Sequence, residues 1–208
     1  METMDIFDST NRQRLVDFIF EAGMLRKTPR TGYQFLGSGS ENVAEHSWRV
    51  AIIGHILAKL AKADVAKTIM LCLYHDFHEG RTGDFNYVNY LYNSAKSRKA
   101  VEDATAGTGL ASDILALWDE QDANATLEAR LAHDADKLDL VFNLYNERAL
   151  GNRYADKWLL SSRARLVTEQ AQELAELADK TDPTHWWYSD PDDPWWVDRE
   201  GNNEQGPR

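Results

Sequence analysis

Apolar residues recur at three- and four-residue intervals through most of the chain, and no run of alternating β-branched residues bounded by hairpin dipeptides interrupts them. A chain patterned this way is expected to be all-α. The clearest case is 41–63. Projected as a helix, it puts Glu45, Arg49, Lys59 and Lys62 on one stripe and leaves Val43, Val50, Ile53, Gly54, Leu57 and Leu60 on the opposite side. His46 falls among the apolar residues, and His55 falls at the edge of the polar stripe.

Helix signals divide the chain. Ser9 or Thr10 caps a first helix running to about Leu25, and the loop RKTPRTGYQFLGSGS then breaks the pattern. Ser40 opens the second helix. A third begins after Asp64 and ends near Glu79, with Gly80 as its left-handed closing residue. Further helices are expected over 86–106, 110–120, 125–150 and 154–180, with breaks at the Gly-Thr-Gly of 107–109 and at Gly151. The chain reads as one domain over 1–180, followed at 181–208 by an extension that holds four of the five prolines and four of the seven tryptophans. Prolines exclude a helix there. An aromatic-rich segment is unlike a disordered tail, so Trp186, Trp187, Trp195 and Trp196 are expected to pack on the domain or on a second subunit.

Composition excludes some partners. A formal charge of −11 argues against a nucleic-acid backbone, which needs clustered Lys and Arg. The longest uncharged apolar stretch, Val50 to Leu57, is too short to span a bilayer, and the start has no signal-peptide layout. Cys72 is the single cysteine, so no intrachain disulfide forms. These features lead us to expect a soluble, cytoplasmic protein.

The stretch LYHDFHEGRTGD crowds His75, Asp76, His78, Glu79 and Asp84 together. Glu79 lies four residues after His75 and three after Asp76, so one helix face carries all three. Carboxylates at a helix C-terminus face a negative dipole end and cost about 0.3–1 kcal/mol each without a compensating cation. Imidazole and carboxylate together suit a divalent transition metal, and the buried His46 adds a further ligand. A last carboxylate is expected from AHDADKLDL, where periodicity leaves Asp134, Asp136 and Asp139 all open.

The segments ENVAEHSWRVA, CLYHDFHEGRTGD and AHDADKLDL, in this order, resemble the HD-domain metal-dependent phosphohydrolases, and within them the 5′-deoxynucleotidase branch. The resemblance spans about Arg14 to Gly151, including the loop PRTGY, and leaves out the Trp-rich end. It implies an all-α HD-domain helical bundle in which His46, His75, Asp76 and Asp136 bind a divalent ion such as Mn, Co or Mg. It further implies that Glu79 is catalytic, that Asp84 faces the sugar and that Arg30 meets the substrate. His133, Asp134 and Asp139 become surface or supporting groups, and His78 lies outside the pattern. The implied reaction is hydrolysis of a (deoxy)nucleoside 5′-monophosphate by a metal-activated water. Other phosphoesters, such as a triphosphate or a cyclic dinucleotide, and a non-catalytic nucleotide-binding module are the alternatives. The implied assembly is a homodimer.

Overall fold

Side-chain caps decide where the helices of the computed structural model begin, and the model describes residues 9–190. Asn42 accepts from the Glu45 amide while the Glu45 carboxylate accepts from the Asn42 amide, both at 3.0 Å. This reciprocal pair starts α3 (Val43–Ala61), two residues later than a Ser40 cap would. Asp64 caps α4 (Val65–Tyr74), and Thr126 caps α9 (Leu127–Ala149). The remaining helices are α1 (Ser9–Ala22), α2 (Tyr33–Leu36), α5 (Glu79–Thr82), α6 (Tyr87–Tyr92), α7 (Ser97–Thr105), α8 (Ala111–Ala123), α10 (Ala155–Arg163) and α11 (Glu169–Asp179). A short 3-10 turn, Gly23–Lys27, follows α1. Among the described residues the only β pairing is an isolated bridge between Pro29 and Asn42.

The core is a three-way packing of α3, α4 and α9, with Val50, Leu57, Leu71, Leu131, Leu138, Val141 and Leu144 buried between them. Gly54 sets how closely α3 and α4 approach, because a Cβ there would lie 2.4 Å from Cys72 Sγ. A second cluster, built from Phe18, Leu25, Val43, Phe77, Val101, Ala104 and Ile114, ties α1, α7 and α8 to the segment after α4. Phe77 is its anchor: it stacks on Phe18 with ring centroids 4.9 Å apart.

Four expectations about helix limits need correction. Ala164–Thr168 divides the expected 154–180 helix into α10 and α11. The buried carboxylate of Asp134 draws it out of helical form, accepting from the Val167 and Thr168 amides and from Thr168 Oγ1. Asp134 is therefore neither a surface group nor a support of the metal ligands. The expected 86–106 helix is two helices, because the chain is extended at Asn93. The third helix ends at Tyr74 rather than near Glu79, and 75–78 forms tight turns in which the Glu79 amide bonds back to Asp76. Gly80 lies inside α5 against Leu25, and the positive φ of +77° belongs to Gly83. Leu60, placed on the apolar side by projection, is exposed. In the C-terminal extension Trp186 is 84 % exposed, while Trp195 and Trp196 lie outside the described residues.

Candidate metal centre and substrate cavity

His46 sits in the first turn of α3, fully buried, and its Nδ1 is 2.8 Å from Asp139 Oδ2 on α9. His75 follows α4, and its Nδ1 is 2.7 Å from the Cys72 carbonyl oxygen. A carbonyl oxygen only accepts, so Nδ1 of His75 carries the proton. Asp139 accepts from the Arg49 guanidinium through Oδ1 and faces His46 with Oδ2, so Nδ1 of His46 donates as well. Both rings then turn Nε2 inward, and the two Nε2 atoms are only 3.2 Å apart.

Two carboxylates close round this pair. Asp136 Oδ1 is 3.2 Å from His46 Nε2, and Asp76 Oδ2 is 3.1 Å from His75 Nε2 and 3.6 Å from His46 Nε2. The ligand atoms of His46, His75 and Asp136 all lie within 4.8 Å of one another. Four electron-pair donors converging from three elements repel unless positive charge sits among them. Titration behaviour agrees. Burial works against a charged His46, yet hydrogen bonds to Asp136 and Asp139 outweigh it and raise its pKa to about 10. For Asp76 and Asp136 burial opposes ionisation, but the neighbouring imidazoles hold both below the usual carboxylate range. The mixed nitrogen and oxygen donor set fits a divalent transition metal. Glu41, His46 and Asp139 also approach within 4.8 Å, but there the His46 nitrogen is already bonded to Asp139 and Arg49 supplies the cation.

Arg30 comes from the loop before α3. Its backbone amide bonds to the Glu41 carbonyl at 2.9 Å beside the Pro29–Asn42 bridge, which turns this loop over the site. Arg30 Nη1 lies 3.1 Å from Asp76 Oδ2 and 3.2 Å from Asp84 Oδ1. Burial opposes its charge, and Asp76, Asp136 and Asp84 more than restore it. Asp84 also accepts from the Thr31 amide at 2.5 Å and from Thr31 Oγ1 at 3.0 Å. Glu79 is 5 % exposed, and its Oε2 is buried without a hydrogen-bond partner. Burial first, then Asp76 and Asp84, push its carboxyl well above the ordinary range. His78 lies edge-on to Trp118, 5.0 Å between centroids, and burial lowers its pKa.

A cavity of about 290 Å³ opens over these groups, lined by Arg30, Asp76, Glu79, Asp84, Tyr90 and Asp136 and, where it meets a neighbouring cavity, by Tyr87, Trp158 and Arg165. The structure thus brings together the seven site residues expected from sequence: His46, His75, Asp76, Asp136, Glu79, Arg30 and Asp84. Sequence reasoning left Asp139 as a surface or supporting group, and the structure makes it the partner that orients His46; Arg49, which holds Asp139, was missed. Asp139 lies one turn after Asp136, a signal that was visible, but Arg49 projects onto the polar stripe of its helix.

The sequence matches the HD-domain family over residues 22–178. The chain belongs to that family. It is 26% identical over 151 residues to the 5′-deoxynucleotidase HDDC2 of Xenopus laevis, covering 70% of this chain and 75% of that one. It is also 29% identical over 152 residues to the 5′-deoxynucleotidase YfbR of Escherichia coli O127:H6, covering 66% and 75%. A conserved hypothetical protein from Pyrococcus furiosus superposes with a TM-score of 0.69 at 26% identity, over 80% of this chain and 99% of that one. These similarities place the HD-domain chain nearest the 5′-deoxynucleotidase branch.

Proposed function

We propose that this HD-domain chain is a metal-dependent phosphohydrolase that releases phosphate from deoxynucleoside 5′-monophosphates. One observation supports this most directly: two imidazole Nε2 atoms 3.2 Å apart, flanked by Asp76 and Asp136, which line a cavity together with Glu79 and Arg30. The names of the relatives from Xenopus laevis and Escherichia coli supply the substrate class.

His46, His75, Asp76 and Asp136 would hold the ion. A divalent ion there supplies positive charge to phosphoryl oxygens and acidity to a water. Arg30 faces the same space with a permanent guanidinium, which matches a phosphate with paired donors and offsets the acidic chain locally. In hydrolysis an oxygen–phosphorus bond forms from water, the bond to the sugar oxygen breaks, and that oxygen gains a proton. Glu79, whose carboxyl binds a proton unusually firmly, would give a proton to this oxygen through Oε2 and take one back from the attacking water. Asp84, held by Thr31 and Arg30, presents its remaining lone pairs to a sugar hydroxyl.

Protein stripped of metal and resupplied with Mn²⁺ or Co²⁺ is expected to release phosphate from at least one deoxynucleoside monophosphate. Release from none of the four refutes the reading. Glu79→Ala is expected to lower turnover by roughly 10²–10⁴-fold while metal content stays the same.

A homodimer belongs to the same proposal. It is supported by the outer face of α3, where Trp48, Ile52, Ile56 and Leu60 recur every fourth residue and are 67 %, 46 %, 45 % and 51 % exposed. A cytoplasmic location is likewise proposed. It is consistent with the single, buried Cys72, and no helix among the described residues is long and apolar enough to cross a membrane.

A further inference from the structure

The end of the cavity away from the metal ligands has its own construction. Tyr87, Trp158 and Arg165 line the catalytic cavity and also line a neighbouring cavity of about 260 Å³, whose other walls are Phe35, Val88, Ser161 and Ser162. These three side chains are therefore a partition between two spaces of similar size. The Arg165 guanidinium carbon stands 5.6 Å from the centre of the Tyr87 ring, so the partition includes a cation over an aromatic face.

Local structure fixes its position relative to the chemistry. Asn86 accepts from the Val88 and Asn89 amides, and the Asn89 side chain accepts from the Asn86 amide, so α6 begins at Tyr87, three residues after Asp84. On the opposite wall the Trp158 ring lies against Gly32, where a Cβ would meet Cη2 at 3.5 Å. Gly32 directly follows Thr31, whose amide and hydroxyl hold Asp84. The two aromatic walls are thus tied to the carboxylate that closes the polar end.

We propose that the Tyr87, Trp158 and Arg165 partition is a nucleobase subsite that lets the enzyme distinguish a nucleotide from a bare sugar phosphate. The inference rests on the phosphomonoester reading above. A base is a flat π system carried one sugar away from its phosphate, and it is the part of such a substrate that ring faces and a guanidinium plane hold without reading its sequence identity. The polar end of the cavity offers the phosphate and sugar their partners. The partition offers stacking surface, and the adjoining cavity gives the larger bases room when Arg165 swings off Tyr87.

The test is the ratio of kcat/KM for a deoxynucleoside 5′-monophosphate to that for 2-deoxyribose 5-phosphate, measured on metal-loaded protein. Tyr87→Leu and Trp158→Leu are expected to lower this ratio at least ten-fold, and Tyr87→Phe, which keeps the ring, is expected to preserve it. A wild-type ratio near one, a ratio unchanged in both leucine variants, or an equal loss in Tyr87→Phe overturns the subsite. Tyr87 is more than half exposed, so its variants carry the test even where Trp158→Leu does not fold. If the wild-type protein hydrolyses neither compound, the hydrolase reading fails separately. Calorimetric titration with a deoxynucleoside lacking phosphate then decides the subsite. Binding weakened ten-fold by Tyr87→Leu supports it, and no binding to the wild-type protein overturns it.

Discussion

Each imidazole of the centre owes its direction to a partner that is not itself a ligand, Asp139 for His46 and the Cys72 carbonyl for His75. His46 turns Nε2 inward because Asp139 holds Nδ1, and Asp139 is held in turn by Arg49. Asp139→Asn keeps the shape but removes the charge that fixes the ring, and it is expected to weaken metal affinity about 10–100-fold in a metal titration. His46→Ala is expected to leave protein with little metal by elemental analysis, and retention of full content would remove His46 from the ligand set. The pKa of His46 is raised, so near neutral pH its ring carries a proton that an ion must displace. Apparent metal affinity is therefore expected to rise with pH from about 6.5 up to about 10, where the ring loses its proton without the ion's help. A flat profile in competition titrations would argue against imidazole ligation.

At the scale of elements, the join between α4 and α5 decides the site. A helix continued past Tyr74 would satisfy backbone hydrogen bonding equally well, but it would not send Phe77 into the cluster with Phe18 while His75 and Asp76 face α3. Two other joins depend on single residues. Asp134→Ala leaves the Val167 and Thr168 amides without their acceptor and is expected to destabilise the fold by about 2 kcal/mol in denaturant unfolding. Gly54→Val drives a side chain into Cys72 Sγ and is expected to cost about 1–3 kcal/mol, part of which Cys72→Ala recovers.

Over the whole molecule, an acidic surface encloses one place where positive charge is required. The net charge of −11 disfavours polyanions, while in the proposed reading a bound cation and Arg30 would offset it locally for a single phosphate. A second, exposed apolar stripe of α3, Trp48, Ile52, Ile56 and Leu60, lies opposite the buried face that packs on α4 and α9. Ile52→Glu combined with Ile56→Glu is expected to shift the protein from dimer to monomer in sedimentation velocity, and an unchanged mass would refute that face as the interface.

How much of this was legible in the sequence follows from the range of the interactions involved. The all-α class, the apolar face of α3 and the burial of His46 depend on residues three or four apart, so periodicity reveals them. His75, Asp76 and Glu79 lie within five positions and were visible as a cluster. The choice of Asp136 over Asp134 and Asp139 was not visible, because all three lie on one helix and all are partly or fully enclosed. The family resemblance selected Asp136, and only contacts with α3, α4 and the 164–168 segment assign the three carboxylates different partners. The helix end at Tyr74 escaped for the same reason, since it is set by Phe18 some sixty residues earlier. Sequence by itself determined where the candidate chemistry clusters, at His75, Asp76 and Glu79, and that the chain folds into amphipathic helices, because those properties are local. Tertiary structure alone decided which carboxylate meets which imidazole and where the aromatic partition stands, because those depend on contacts between segments far apart in the chain.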